Sequence, residues 1–233
     1  MLCRIADLLT EVPEAYGLPQ HCSEYRIGIG SENTTPDIVI SSSDFCLSDY
    51  PELSEDVAAY CEAGRLFHWA LPKFSAMMLH ASAVAAEGGA FLFSAPCGTG
   101  KSTHTRLWQE LLGSKAVVLN DDKPTLRRID GVWYAYGTPW CGKDYINTNA
   151  RAPLAGICFL QQARENRIRR LSPKEALFRL FDQTSHGLIR AKVDRQLSLI
   201  GDLIEKIPVY LLENRPELDA ARLSYETMQG GRK

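Results

Sequence analysis

Eight consecutive residues, Ala95-Pro96-Cys97-Gly98-Thr99-Gly100-Lys101-Ser102, have the composition of a phosphate cradle. Small residues let successive backbone N–H groups converge on phosphate oxygens. Lys101 would meet the β/γ charge, Ser102 would offer a hydroxyl to Mg²⁺, and a helix starting there would turn its positive end toward the anion. Alanine stands where the pattern usually begins with glycine. A chance glycine turn before a helix has a similar composition, but an apolar strand precedes this loop and a helical pattern follows it. The expected ligands are ATP, or another nucleoside triphosphate, and Mg²⁺.

Such a site needs a carboxylate at the end of a neighbouring strand. The run Ala116-Val117-Val118-Leu119-Asn120-Asp121-Asp122 supplies two. One could face Mg²⁺ while the other accepts the proton of an attacking hydroxyl. Asn-Asp-Asp before Pro124 also suits an ordinary turn, and the preceding loop tips the reading toward chemistry.

Other candidates are weaker in type. Gly137-Thr138-Pro139-Trp140-Cys141-Gly142-Lys143 suits a mobile, ligand-facing loop in which Lys143 meets phosphate or an anionic acceptor and Trp140 screens the site from water. The alternative is a surface turn with a buried tryptophan. Arg164, Arg167, Arg169 and Arg170 form a basic cluster that could meet an acidic substrate, although charge runs are usually solvated faces. Arg190 follows the junction Ser185-His186-Gly187. Cys97 lies inside the cradle near a helix start, where a thiol is acidified, so its oxidation would block nucleotide entry.

The elements that must position these groups read as a mixed α/β domain. Strands are expected over 80–86 and 90–94 around a Glu87-Gly88-Gly89 turn, and a helix over 102–112 after the loop. Further strands fall at 116–119, 125–129, 132–137, 154–160 and 209–212, with Asp130-Gly131 marking a hairpin. Ser172-Pro173-Lys174-Glu175 is a capping box opening a helix whose Leu177, Leu180, Phe181 and Thr184 share a face. A second helix over 193–206 repeats that period with Leu197, Ile200, Leu203 and Ile204, followed by Ile207. Upstream, strands over 24–29 and 37–41 and a helix over 54–63 that stops at Gly64 suggest an N-terminal β-rich extension or subdomain, residues 1–75. Residues 76–233 form the P-loop kinase-like domain.

Composition limits the alternatives. The chain has 233 residues and a formal net charge of −2, so no global field draws it to nucleic acid or an anionic membrane. No apolar run approaches the ~20 residues that span a bilayer. Seven cysteines without a CxxC pair, and no apolar leader, fit a reduced cytoplasmic setting.

Leu79-His80-Ala81-Ser82-Ala83-Val84, a hairpin, Cys97-Gly98-Thr99-Gly100-Lys101-Ser102 and Leu119-Asn120-Asp121-Asp122 follow one another in an order that resembles the catalytic core of HPr kinase/phosphorylase. The wider group shares the fold of ATP-dependent phosphoenolpyruvate carboxykinase. Beyond position 124, the stretch 137–143 and the ending Pro208-Val209-Tyr210-Leu211-Leu212 are closer to HPr-kinase-related proteins than to the founding enzyme. The resemblance implies a P-loop nucleotide-binding domain with a mixed central sheet. It casts Asp121 as the catalytic carboxylate, Asp122 as its neighbour near the metal and His80 as a histidine approaching the phosphates or that carboxylate. The order of the two aspartates stays open, and His80 has the alternative of a core histidine. Thr103 becomes a supporting hydroxyl or a packing residue of the first helical turn. The founding enzyme's C-terminal signature for HPr is not found, so the resemblance implies neither HPr nor phosphorylase chemistry.

The function expected is transfer of a γ-phosphoryl to a hydroxyl of a protein, peptide or small molecule. The alternatives are a nucleotide-binding sensor with little turnover or a slow NTPase. The family also allows a homo-oligomer.

Overall fold

The structure, a computed structural model, describes residues 1–28, 35–184 and 190–231. The junction Ser185-His186-Gly187 and the side chain of Arg190 lie outside the described residues. The chain opens with a hairpin of β1 (Leu2–Ile5) and β2 (Leu8–Glu11). Its two turn residues, Ala6 and Asp7, both have left-handed φ, 52° and 59°, as a twisted two-residue hairpin demands. A short helix α1 (Leu18–His21) follows, and β3 (Ile38–Val39) adds parallel to β2. Of the strand expected over 24–29, the first residues instead belong to a 3₁₀ turn, Ser23–Tyr25, and Arg26 bridges Cys3, while Ile29 lies outside the described residues. Tyr25 is buried there and its hydroxyl donates to Asn147 Oδ1 at 2.8 Å.

Helix α2 (Glu55–Ala70) begins where Ser54 Oγ accepts from Val57 N. It runs straight through Gly64, which was expected to stop it. A Cβ at Gly64 would lie 2.7 Å from Trp140 Cδ1, so the glycine serves close approach of the indole and not termination.

The main sheet begins with β4 (Ala76–Met78), β5 (Ala81–Ala86) and β6 (Gly89–Ser94). Helix α3 (Lys101–Leu112) then leads to β7 (Ala116–Asp122), β8 (Thr125–Ile129) and β9 (Val132–Tyr136). Asp130 and Gly131, at φ 49° and 82°, make the expected tight turn between β8 and β9. The long β10 (Arg151–Gln162) and β11 (Arg167–Arg170) precede α4 (Pro173–Thr184) and α5 (Arg190–Lys206), and β12 (Val209–Asn214) and α6 (Leu218–Gly230) close the fold. The capping box forms: Ser172 N donates to Glu175 Oε2 at 3.0 Å and Glu175 N returns to Ser172 Oγ at 3.4 Å.

The strands order as β4-β8-β9-β10-β6-β5-β7, with β12 on β10 and β11 on β12. Strand β10 joins two halves. Its first residues pair antiparallel with β9, and its later residues pair parallel with both β6 and β12. The architecture is thus a mixed α/β fold with one mixed sheet and a small N-terminal sheet.

Both faces of this sheet are covered, which is why β6 and β10 read as continuous apolar runs. Alternate residues of β6 diverge: Ala90 and Leu92 pack with Leu180 of α4 and Ile200 and Leu203 of α5, while Phe91 and Phe93 pack with Trp108 of α3 and Met228 of α6. Leu197, expected on the apolar face of α5, is 37% exposed, and Leu199 is buried in its place. A third core joins Ile5, Leu8 and Ile38 to Phe67 of α2 and to Tyr136 and Trp140, spanning both sides of position 75. Among the described residues, no helix is long and apolar enough to cross a membrane.

Candidate active site

Three neighbouring strands determine where the candidate residues meet. Strand β5 lies between β6 and β7 and runs antiparallel to both. The carboxyl ends of β6 and β7 therefore share an edge with the start of β5. Ala81 pairs with Ser94 on one side and Asp122 on the other, so His80, the glycine loop and the aspartates emerge together. Strand β7 extends through both aspartates; they are not the turn that their composition allowed.

These groups line one cleft of about 550 Å³. His80, Asp121 and Asp122 face loop residues Cys97, Gly98 and Gly100, and the helix start contributes Lys101, Ser102 and Thr103. Gly142, Lys143 and Asp144 complete the lining. Ala95 and Pro96 do not line it but supply carbonyls to Lys101 Nζ, at 3.0 and 3.5 Å. Thr99 borders an adjoining recess.

The loop has the backbone its glycines permit. Gly98 and Gly100 take φ of 76° and 112°, conformations costly to any residue with a Cβ. Gly100 caps α3 without a side-chain hydrogen bond. The N–H groups of the first helical turn have no intrahelical acceptor, so they are available to an anion. Burial lowers the Lys101 ammonium below its ordinary value, against the opposing charges of Asp122, Cys97 and Asp121. Beneath the loop, Thr105 Oγ1 donates to Ser82 Oγ at 2.7 Å, fastening α3 to β5.

The two aspartates differ. Asp122 lies 3.2 Å from His80 Nε2 and 3.3 Å from Lys123 Nζ. Burial alone would raise its carboxyl, but the His80 hydrogen bond and the Lys123 and His80 charges outweigh it and hold it at about 2. The carboxylate of Asp121 has no hydrogen bond or ion pair among the described residues. His80 is held from behind, its Nδ1 3.0 Å from Gln183 Oε1 and its backbone N donating to Gln183 O. The ring is neither free nor a core histidine; it joins α4 to Asp122.

Sequence reasoning missed the residue that fixes the 137–143 loop. Asn120 Nδ2 donates to Thr138 O, Thr138 Oγ1 and Trp140 O, at 2.9, 3.2 and 3.1 Å, and its Oδ1 accepts from Lys123 N. Cys141 N donates to Tyr60 Oη and Gly142 N to Asp121 O. A Cβ at Gly142 would meet Asp121 O at 2.7 Å, and one at Gly137 would meet Thr148 O at 1.9 Å. The expected mobile loop is thus fastened to β7, with its glycines used for close backbone approach. Trp140 does not line the cleft; it is 1% exposed and stacks on Phe67 with centroids 4.6 Å apart. A polar residue directly after the apolar run 116–119 was the available signal.

The basic cluster sits elsewhere. On β11, Arg167 pairs with Glu165 and Arg169 with Glu175, each at 2.7 Å, and none of the four arginines lines the cleft. Cys97 is exposed and its thiol is free.

No family model matches the sequence, and no curated protein matches it. Among solved structures, the chain is similar to the Hpr(Ser) kinase/phosphatase from Coxiella burnetii, with a TM-score of 0.36 and 10% identity over 66% of this chain and 99% of that one.

Proposed function

We propose that this protein is a phosphotransferase that moves the γ-phosphoryl of ATP, or another nucleoside triphosphate, to a hydroxyl. The observation that carries the reading is the meeting of a glycine loop and open helix start with two unequal carboxylates in one cleft. A binding protein needs the loop; it has no use for a second, unpartnered carboxylate opposite it.

In this reading the acceptor oxygen forms a bond to the γ-phosphorus, the bond from phosphorus to the bridging oxygen breaks, and the nucleoside diphosphate leaves. Asp121 takes the acceptor's proton, because its carboxylate has no competing partner among the described residues. Asp122, already engaged by His80 and Lys123, serves as a fixed charge. Backbone N–H groups, Lys101 and Lys143 stabilise charge on the transferring group. His80 and Gln183 keep Asp122 in place.

Ser102 and Asp122 would hold Mg²⁺, which would neutralise charge on the phosphates. The donor set fits. The described residues contain no cluster of three or more His, Cys, Asp or Glu side chains for a metal of their own. One hydroxyl and one carboxylate suit an ion that also takes substrate phosphates and water.

The test is transfer from γ-labelled ATP with Mg²⁺ across free hydroxyl metabolites, peptides and an HPr-like protein, with Lys101→Ala as control. A labelled acceptor that vanishes in the variant supports the reading. Labelled phosphate without an acceptor product points to an NTPase, and Lys101-dependent binding without turnover points to a sensor.

A further inference from the structure

We propose that the nucleoside end of the triphosphate is held in a recess beyond the glycine loop, walled by Gln162, Asn214 and Pro216. This rests on the phosphotransferase reading and adds the part of the substrate that the phosphate cleft leaves unplaced.

Direction comes from the sheet. A triphosphate in the cleft has its γ-phosphate toward Asp121 and Asp122, which end β7, two strands to one side of the loop-bearing β6. Its nucleoside must leave the other way, toward β10 and β12. These strands run parallel to β6, so their carboxyl ends lie on the same edge, where ligands of open α/β sheets collect. Gln162 and Asn214 are the terminal residues of those strands and are register partners.

A recess of about 200 Å³ occupies that place, and it shares Gly98, Gly100 and Thr103 with the phosphate cleft. It is smaller than the ~300–1,000 Å³ that encloses a drug-sized ligand. It therefore takes the ribose and one edge of the base while the phosphate chain fills the cleft.

The wall chemistry is that of an uncharged, hydrogen-bonding ligand. None of the residues lining the recess carries a formal charge at neutral pH. Asn214 is 8% exposed, and its Nδ2 is fixed on Arg215 O at 2.9 Å, which leaves Oδ1 to accept from a ribose hydroxyl or an exocyclic amino group. Gln162 is exposed and its carboxamide has no partner among the described residues. Pro216 adds an apolar surface.

His104 adds a buried imidazole to the wall. It borders the recess, is 1% exposed and ties Nε2 to Ser224 Oγ at 2.9 Å, while its buried Nδ1 has no partner among the described residues.

The experiment is calorimetric titration of ATP and of inorganic tripolyphosphate, both with Mg²⁺, into the wild type, Gln162→Leu, Asn214→Leu and Lys101→Ala. The wild type should bind both ligands, ATP more tightly, and Lys101→Ala should lose both. Each recess variant should lose about five- to tenfold for ATP, the size of one or two hydrogen bonds, and stay within about twofold for tripolyphosphate. Gln162 is exposed, so its variant keeps the test readable if Asn214→Leu fails to fold. Equal losses for both ligands, or none for ATP, overturn the recess while leaving the phosphate cradle standing. Failure of the wild type to bind tripolyphosphate, or binding unaffected by Lys101→Ala, overturns the phosphate reading and the recess with it.

Discussion

Asp122→Asn tests the electrostatics of the cleft without any knowledge of its substrate. The folded protein holds this carboxyl at about 2 against an ordinary 3.8, through His80 and Lys123. Each tenfold change in proton affinity corresponds to about 1.4 kcal/mol, so the ionised group contributes about 2 kcal/mol to folding. Its side chain is 26% exposed, so solvent screening removes only part of that figure. Because the folded value lies below the unfolded one, the contribution is complete above about pH 4 and is lost as pH falls through about 2. At pH ~7 the variant should melt about 4–8 °C lower than the wild type, the usual shift for that energy in a chain of this size. Near pH ~2.5 most of the gap should close. Thermal unfolding followed by tryptophan fluorescence at the two pH values measures both. A gap of equal size at each pH, or a variant more stable than the wild type at pH ~7, would show that His80 and Lys123 do not stabilise this carboxylate.

Further outcomes follow from the same geometry. Asp121→Asn should lower kcat by about 10²–10⁴ while nucleotide affinity stays within about twofold, as read by turnover and calorimetry; equal losses of both would refute its role as base. Gly142→Ala must displace backbone held against Asp121 O, so it should raise the nucleotide KM and lower kcat, and an unchanged enzyme would refute the pinned loop. Trp108→Ala removes a buried indole packed on Phe91 and Phe93 and hydrogen-bonded to Ser224, and should cost about 3–5 kcal/mol in urea unfolding.

The legible features were those whose causes lie within a few residues. The glycine loop, the Asp130-Gly131 turn and the Ser172–Glu175 cap each have local chemistry that admits few backbones. The less legible ones depend on partners far along the chain. Gly64 looked like a helix stop because the indole it accommodates comes from Trp140. Gln183 orients His80 across 103 positions, and no local pattern announces that bond. The β1–β2 hairpin escaped notice because its strands have four residues each and its turn contains no glycine. Helix α6 opens at Glu217 without a side-chain cap and so lacks a start signal. Asn120 has the composition of a turn residue, and its three acceptors lie 18 to 20 positions along the chain.

The intervening strand β5 makes the sheet a caliper for the reaction. Strands hydrogen-bond about 4.8 Å apart, so the ends of β6 and β7 stand roughly 10 Å from each other with His80 between them. That gauge is cut by main-chain hydrogen bonds and is indifferent to side-chain substitution along the strands. It is sensitive to counting. One residue inserted in β5 would slip the pairing by half a pleat and turn His80 to the opposite face, dismantling the cleft while leaving the layers stacked.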